Sequence, residues 1–310
     1  MRRTILSSRF IGRLVIVALS ATLAATLAIA ASTSTGAAQA TTTENVIYGI
    51  DEDGGFVERD FPSKGIPLLN GFDFYYEGTF GCWGLCLTED RNLAEIRIEP
   101  RVTGLAPIRK SLRLVFADER YDDPYIYAVR HNLLYDPSIR LFDTGINEGK
   151  GHATKTISRP TPAFKYEFVL RGFQLQFREG LEIKDHRIDE VGIIENNGKV
   201  TVDFNDANDD DHFLYRIWYA YVPKDEFSRL GESSGTYANN YAQQVIPPGP
   251  AVIRGFRFDF KPTCIGSNSC FDHHIKKIGV LNQGGSVQVR YADKNGDDAF
   301  AWRVKWGILK

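Results

Sequence analysis

The chain has 310 residues, 43% hydrophobic and 25% charged, with 28 glycines and 13 prolines, an ordinary globular composition. Four arginines (Arg2, Arg3, Arg9, Arg13) and no acid precede Thr41, and the remainder carries 33 Lys and Arg against 39 acids, a net charge of about −6. That balance, with its runs of Asp, excludes the basic patch that nucleic-acid binding needs to displace counterions from phosphates.

Residues 1–40 read as a secretory signal. Arg2-Arg3 and Arg9 to Arg13 make the positive start, Leu14 to Ala31 the apolar core, and Ala38-Gln39-Ala40 a small-residue cleavage site. An uncleaved anchor is the alternative, but the Ala- and Thr-rich run that ends in Ser, Thr and Gly favours cleavage. Arg2-Arg3-Thr4-Ile5-Leu6 matches a twin-arginine export signal too loosely to choose a route. No other stretch is long and apolar enough to span a bilayer, so no stable span is expected after signal removal.

Beyond the signal one pattern is written three times. Arg171-Gly172-Phe173-Gln174-Leu175-Gln176-Phe177 recurs as Arg254-Gly255-Phe256-Arg257-Phe258-Asp259-Phe260, and Gly71-Phe72-Asp73-Phe74 is a worn copy. Asp185-His186-Arg187-Ile188 with Val191-Gly192-Ile193 recurs as Asp272-His273-His274-Ile275 with Ile278-Gly279-Val280. Val200 to Asp206 recurs as Val287 to Asp293, with Leu112 to Asp118 upstream. The copies start 101 and 83 residues apart, too long for a solenoid rung and right for a small sandwich.

Period-two alternation makes every copy a sheet. Leu112, Leu114 and Phe116 alternate, then Tyr125, Tyr127 and Val129 across a short acidic loop, and later copies repeat this. We expect those two runs to form an antiparallel hairpin, with Asn295-Gly296 as a turn signal in the third copy. Asp143 to Pro162 and Gly231 to Pro250 read as polar connectors, and Pro223 to Leu230 as one short helical turn. The expected fold is all-β, three tandem antiparallel β-sandwich repeats at 41–135, 136–225 and 226–310.

Cys82 and Cys86 occupy the same place in the first copy as Cys264 and Cys270 in the third. In an exported chain an even count points to disulfides. Cys82–Cys86 with Cys264–Cys270 is the most local of three connectivities; a four-cysteine zinc site would need distant loops to converge and lacks a Cys-x-x-Cys knuckle.

Several constellations are candidates for chemistry. Asp206, Asn208, Asp210 and Asp211 align with Asp293, Asn295, Asp297 and Asp298, oxygen ligands at spacings that can wrap calcium. An EF-hand is excluded, because Ile217 and Val304 stand where its closing Glu belongs. The competing reading is a polar turn whose Asp and Asn cap backbone N–H groups. His186, His273 and His274 are candidate ligands for a metal or a sugar hydroxyl, although the first copy has Arg91 there. Gly231-Glu232-Ser233-Ser234-Gly235 spells a nucleophile elbow without the strand and helix that an elbow needs. Trp218 lies off the core register beside Arg216, on the face shared with Arg303, which suits either stacking on a sugar ring or packing between copies.

The succession of an apolar strand after Pro, Gly-Phe, Ile-x-x-Ile-Gly-Ile, Gly-x-Val-x-Val-x-Phe, an acidic loop and Phe-x-Tyr-x-Ile-x-Trp-Tyr-Ala resembles H-type lectin domains. The resemblance is clearest in Pro250 to Leu309 and Pro162 to Val222. It implies six-stranded sandwiches, trimer-like assembly with pseudo-threefold symmetry, and binding of galactose or N-acetylgalactosamine. The family's Trp-His-type sugar contact does not carry over, since Asp206 and Asp293 stand there. The expectation is a secreted, non-catalytic carbohydrate- or glycoconjugate-binding protein, with calcium as candidate helper. A structural or adhesion protein of the envelope is the alternative, and a secreted hydrolase the third.

Overall fold

A computed structural model of the chain describes residues 42–51, 55–61, 65–76, 93–103, 109–118, 123–178, 188–206, 212–238, 240–260, 275–293 and 299–310. The first repeat runs β1 (Thr43–Asp51), β2 (Val57–Phe61), β3 (Ile66–Tyr76), β4 (Leu93–Thr103), β5 (Arg109–Asp118) and β6 (Tyr125–Leu134). The second runs β7 (Arg140–Asp143), β8 (Asn147–Lys150), β9 (His152–Thr156), β10 (Tyr166–Phe177), β11 (Ile188–Asn196), β12 (Lys199–Asp206) and β13 (His212–Pro223). The third runs β14 (Phe227–Ala238), β15 (Tyr241–Val245), β16 (Ala251–Asp259), β17 (Ile275–Gln283), β18 (Ser286–Asp293) and β19 (Ala299–Leu309). The fold is all-β; the helical structure among the described residues is two short 3-10 turns, Ala163–Lys165 and Lys224–Glu226.

Pairing follows one rule in every repeat. The first strand bonds to the last, and the last to the Gly-Phe strand: β1-β6-β3, β7 and β8 on β13 with β10, and β14-β19-β16. The other three strands make a second layer: β2-β5-β4, β9-β12-β11 and β15-β18-β17. The two layers face each other through aromatic stacks that recur in equivalent places. Tyr76 lies on Phe116 at 4.5 Å, Phe177 on Phe204 at 4.3 Å and Phe260 on Tyr291 at 4.3 Å between ring centres.

Each layer is then completed by a neighbour. β10 pairs with β4, β16 with β11 and β3 with β17, always antiparallel. Second joins first, third joins second and first joins third, so the three sandwiches close into a ring of three sheets, each six positions wide, with β7 and β8 sharing one position along β13. Two of these sheets connect further through the tight turn between β8 and β9. At the centre of the ring Phe72, Phe173 and Phe256, one per repeat, touch one another at 5.1 to 5.3 Å and are fully buried. Leu68, Val169 and Val252 belong to a smaller apolar cluster with Leu134, Val222 and Leu309. This explains why β6, β13 and β19 alternate at their starts and are buried on both faces at their ends.

The Gly-Phe pairs are a consequence of this closure. Each Gly-Phe strand bulges immediately before its glycine. A Cβ on Gly71, Gly172 or Gly255 would stand 2.9, 2.0 or 2.8 Å from a carbonyl oxygen of the adjacent repeat. Only glycine lets the two backbones meet there.

Two expectations are corrected. The alternating runs flanking each acidic loop do not form a hairpin, since β5, β12 and β18 lie in one layer and β6, β13 and β19 in the other. Two hairpins, β11–β12 and β17–β18, are turned by Asn197-Gly198 (φ 51° and 84°) and Gly284-Gly285 (φ 59° and 73°), the two-residue turns that match strand twist. The supposed connectors also hold strands: β8 and β9 lie within Asp143 to Pro162, and most of β14 and all of β15 lie within Gly231 to Pro250.

Candidate functional site at the inter-repeat seams

The seams between repeats carry polar side chains on the face turned away from the sandwich cores. At β16–β11, Arg257 lies opposite Gly192, whose missing side chain leaves room for the guanidinium stem. Arg257 pairs with Glu190 and stands 3.7 Å from Asp203. Asn205 donates to Glu190 at 3.4 Å, and His152 on β9 pairs with Asp203. Asp203 is fully buried and Glu190 nearly so. Burial, reinforced by Asp203, pushes the Glu190 carboxyl up to about 8 against the pull of Arg257.

The other two seams use the same positions with different chemistry. At β3–β17 the acid is Asp73, paired with Arg290, and Lys277 lies 4.6 Å from the Tyr75 ring centre. Arg290 also stands over Tyr241 at 6.0 Å. At β10–β4, Arg97 donates to Glu95 at 2.6 Å, and Gln174 bonds both Glu95 and Gln176.

Buried polar ties hold the repeats behind the seams. Arg171 reaches the Pro67 carbonyl, Arg254 pairs with Glu167, and Asn282 donates to the Asn70 carbonyl at 2.7 Å. Asn132 donates to the Ala251 carbonyl, and His131 bonds the Arg171 carbonyl at 3.4 Å. Burial pushes His131 down to about 3, so it is neutral under ordinary conditions.

The sequence-derived candidates divide into three groups. His186, His273, His274, Asn208, Asp210, Asp211, Asn295, Asp297, Asp298 and the cysteines Cys82, Cys86, Cys264 and Cys270 lie outside the described residues. Asp206 ends β12 opposite Ile188, as Asp293 ends β18 opposite Ile275 and Asp118 ends β5 opposite Leu93. Asp293 and Asp118 are buried at 1% and 5% exposure. Among the described residues no group of three His, Cys, Asp or Glu is placed to hold a metal ion.

Trp218 is 6% exposed, and the Arg216 guanidinium covers its ring at 4.8 Å while bonding Asp143 at 3.1 Å. Arg303, the equivalent of Arg216, sits on a different sheet in a two-pronged pair with Glu232 at 2.7 and 2.9 Å. Arg216 and Trp218 are therefore brought together, and Arg303 stands apart from them. Ser233 lies within β14, 2% exposed, accepting a 2.9 Å hydrogen bond from the Trp306 indole.

Glu190, Asp203 and Arg257 were not among the candidates. Their outward positions follow from alternation, but only the non-local pairing of β11 with β16 assembles them. No protein-family model matches the chain, and neither does any curated protein. Among the described residues no helix is long and apolar enough to cross a membrane.

Proposed function

We propose that this chain is an exported, non-catalytic carbohydrate-binding protein that presents three binding regions around one ring. The observation that carries the reading is the closure of three sandwich modules about Phe72, Phe173 and Phe256. Trimer-like assembly is what an H-type lectin likeness implies, and a ring multiplies weak sugar contacts into avidity. The seams supply candidate groups: the partly exposed guanidinium groups of Arg257 and Arg290 for hydroxyls, and the Tyr75 and Tyr241 rings beside cations. Calcium, if used, belongs to the acidic loops between β12 and β13 and between β18 and β19.

A glycan array probed with the mature chain, with and without chelator, tests this. Binding to galactose-type glycans is the expected result, and loss of that binding on chelation would assign calcium a part. Absence of any signal in both conditions would overturn the reading.

The divergence of the three seams favours a second reading, a structural or adhesion protein of the envelope. Glu190, Lys277 and Glu95 occupy corresponding places yet differ in charge or partners. A melting temperature unmoved by calcium and by sugars would support it.

A further inference from the structure

The outward face of β1 departs from its counterparts in the other repeats. Opposite Arg130, Ala128 and Ile126 of β6 stand Val46, Tyr48 and Ile50, exposed by 39%, 70% and 40%. At the matching places in the third repeat, opposite Lys305, Arg303 and Ala301, stand Glu232, Ser234 and Thr236. In the second, Asp143 faces Trp218 and Glu148 faces Leu214. Where the siblings carry acids, those acids pair with cations on the same sheet, as Asp143 does with Arg216 and Glu232 with Arg303. The module thus folds with polar residues here, and the apolar row on β1 answers a different requirement.

β1 is also an edge. Among the described residues β1 bonds to β6 alone, and no described strand lies along the other side of Thr43 to Ile50. It runs nine residues in unbroken register, with no proline, lysine or bulge to blunt it. The other long edge, β14, carries a bulge and a polar outward row, while β2 and β15 are five residues each.

We propose that β1 is a self-association edge: two copies of this chain pair β1 against β1, antiparallel about a two-fold axis, joining two six-stranded sheets into one of twelve. The charge pattern fits this occupant. With Ile47 opposite Ile47 of the second copy, the whole strand is used: Thr43 faces Asp51, Glu44 faces Ile50, Asn45 faces Gly49 and Val46 faces Tyr48. No acid meets an acid, and the two exposed apolar residues of the centre meet each other across the axis. Such an interface is isologous and closes at two copies.

Sedimentation velocity of the full chain over a concentration series tests this. A reversible monomer–dimer equilibrium is expected. The double substitution Val46→Lys with Tyr48→Lys sets like charges opposite one another across the axis and should weaken the dimer at least tenfold, whereas Ser234→Lys at the matching place on β14 should leave it intact. Hydrogen exchange on the unsubstituted chain gives an independent reading, with protection of the β1 amides rising with concentration. The proposal is overturned by a chain that stays monomeric throughout or by a dimer that survives the double substitution. It is equally overturned by an open-ended ladder of oligomers, which would mean head-to-tail pairing of β1 with β15, or by β1 protection independent of concentration.

Discussion

Gly172 carries more of this structure than its size implies. A methyl group there would collide with the Ile98 carbonyl of the neighbouring repeat at 2.0 Å, and that oxygen belongs to backbone that cannot yield. Gly172→Ala should cost about 3 kcal/mol, seen as a lower urea midpoint, by overpacking a seam rather than a core. Beside it, Phe173→Ala removes one ring from the central trio and should cost about 3–5 kcal/mol. Glu190 acts through its proton. The folded chain holds that proton more tightly than the unfolded chain, so the stability it confers is complete below the ordinary carboxylate range and is lost as pH rises through about 8. Unfolding free energies from urea titrations between pH 5 and 8 should fall by up to about 1.4 kcal/mol per pH unit, and Glu190→Gln should flatten that slope. Ser233→Ala leaves the Trp306 indole N–H buried without its acceptor, a loss of about 1–3 kcal/mol in stability. If the same substitution instead abolished a measurable hydrolysis, the non-catalytic reading would fail.

At the scale of elements, the strands were legible and their partners only in part. Alternation in Val200 to Phe204 and Val287 to Tyr291 marked β12 and β18 because one face of each is buried. The strong Asn295-Gly296 signal misled, since adjacency along the chain says nothing about which layer receives the next strand. Asn197-Gly198 and Gly284-Gly285, whose positive φ values make the described hairpins, were equally visible. β14 reads as connector because its inward positions are Gly231, Ser233 and Gly235, small residues that make room for the Trp306 and Trp302 rings of β19, so neither face carries the apolar row that marks a strand. The candidate site was the least legible part. Arg257, Glu190 and Asp203 lie on three strands from two repeats, and nothing local in the sequence brings them together. Trp218 was placed correctly on the outward face, but its cover by Arg216 depends on Asp143 in β7, 73 residues away from that arginine.

For the whole molecule, repetition and closure have different consequences. Three sandwiches joined by linkers would each keep a private core and melt separately. Here every sheet is shared between two repeats, and the larger of the two buried apolar clusters runs through all three repeats, from Ile47 to Ile308. Removing any one repeat would strip a pairing strand from both others. The ring should therefore unfold as one unit, despite exceeding the size at which single transitions are the rule. Scanning calorimetry of the mature chain measures this directly. A closed ring requires one endotherm whose calorimetric and van't Hoff enthalpies agree; two or three separable transitions, each with the enthalpy of a lone sandwich, would contradict it.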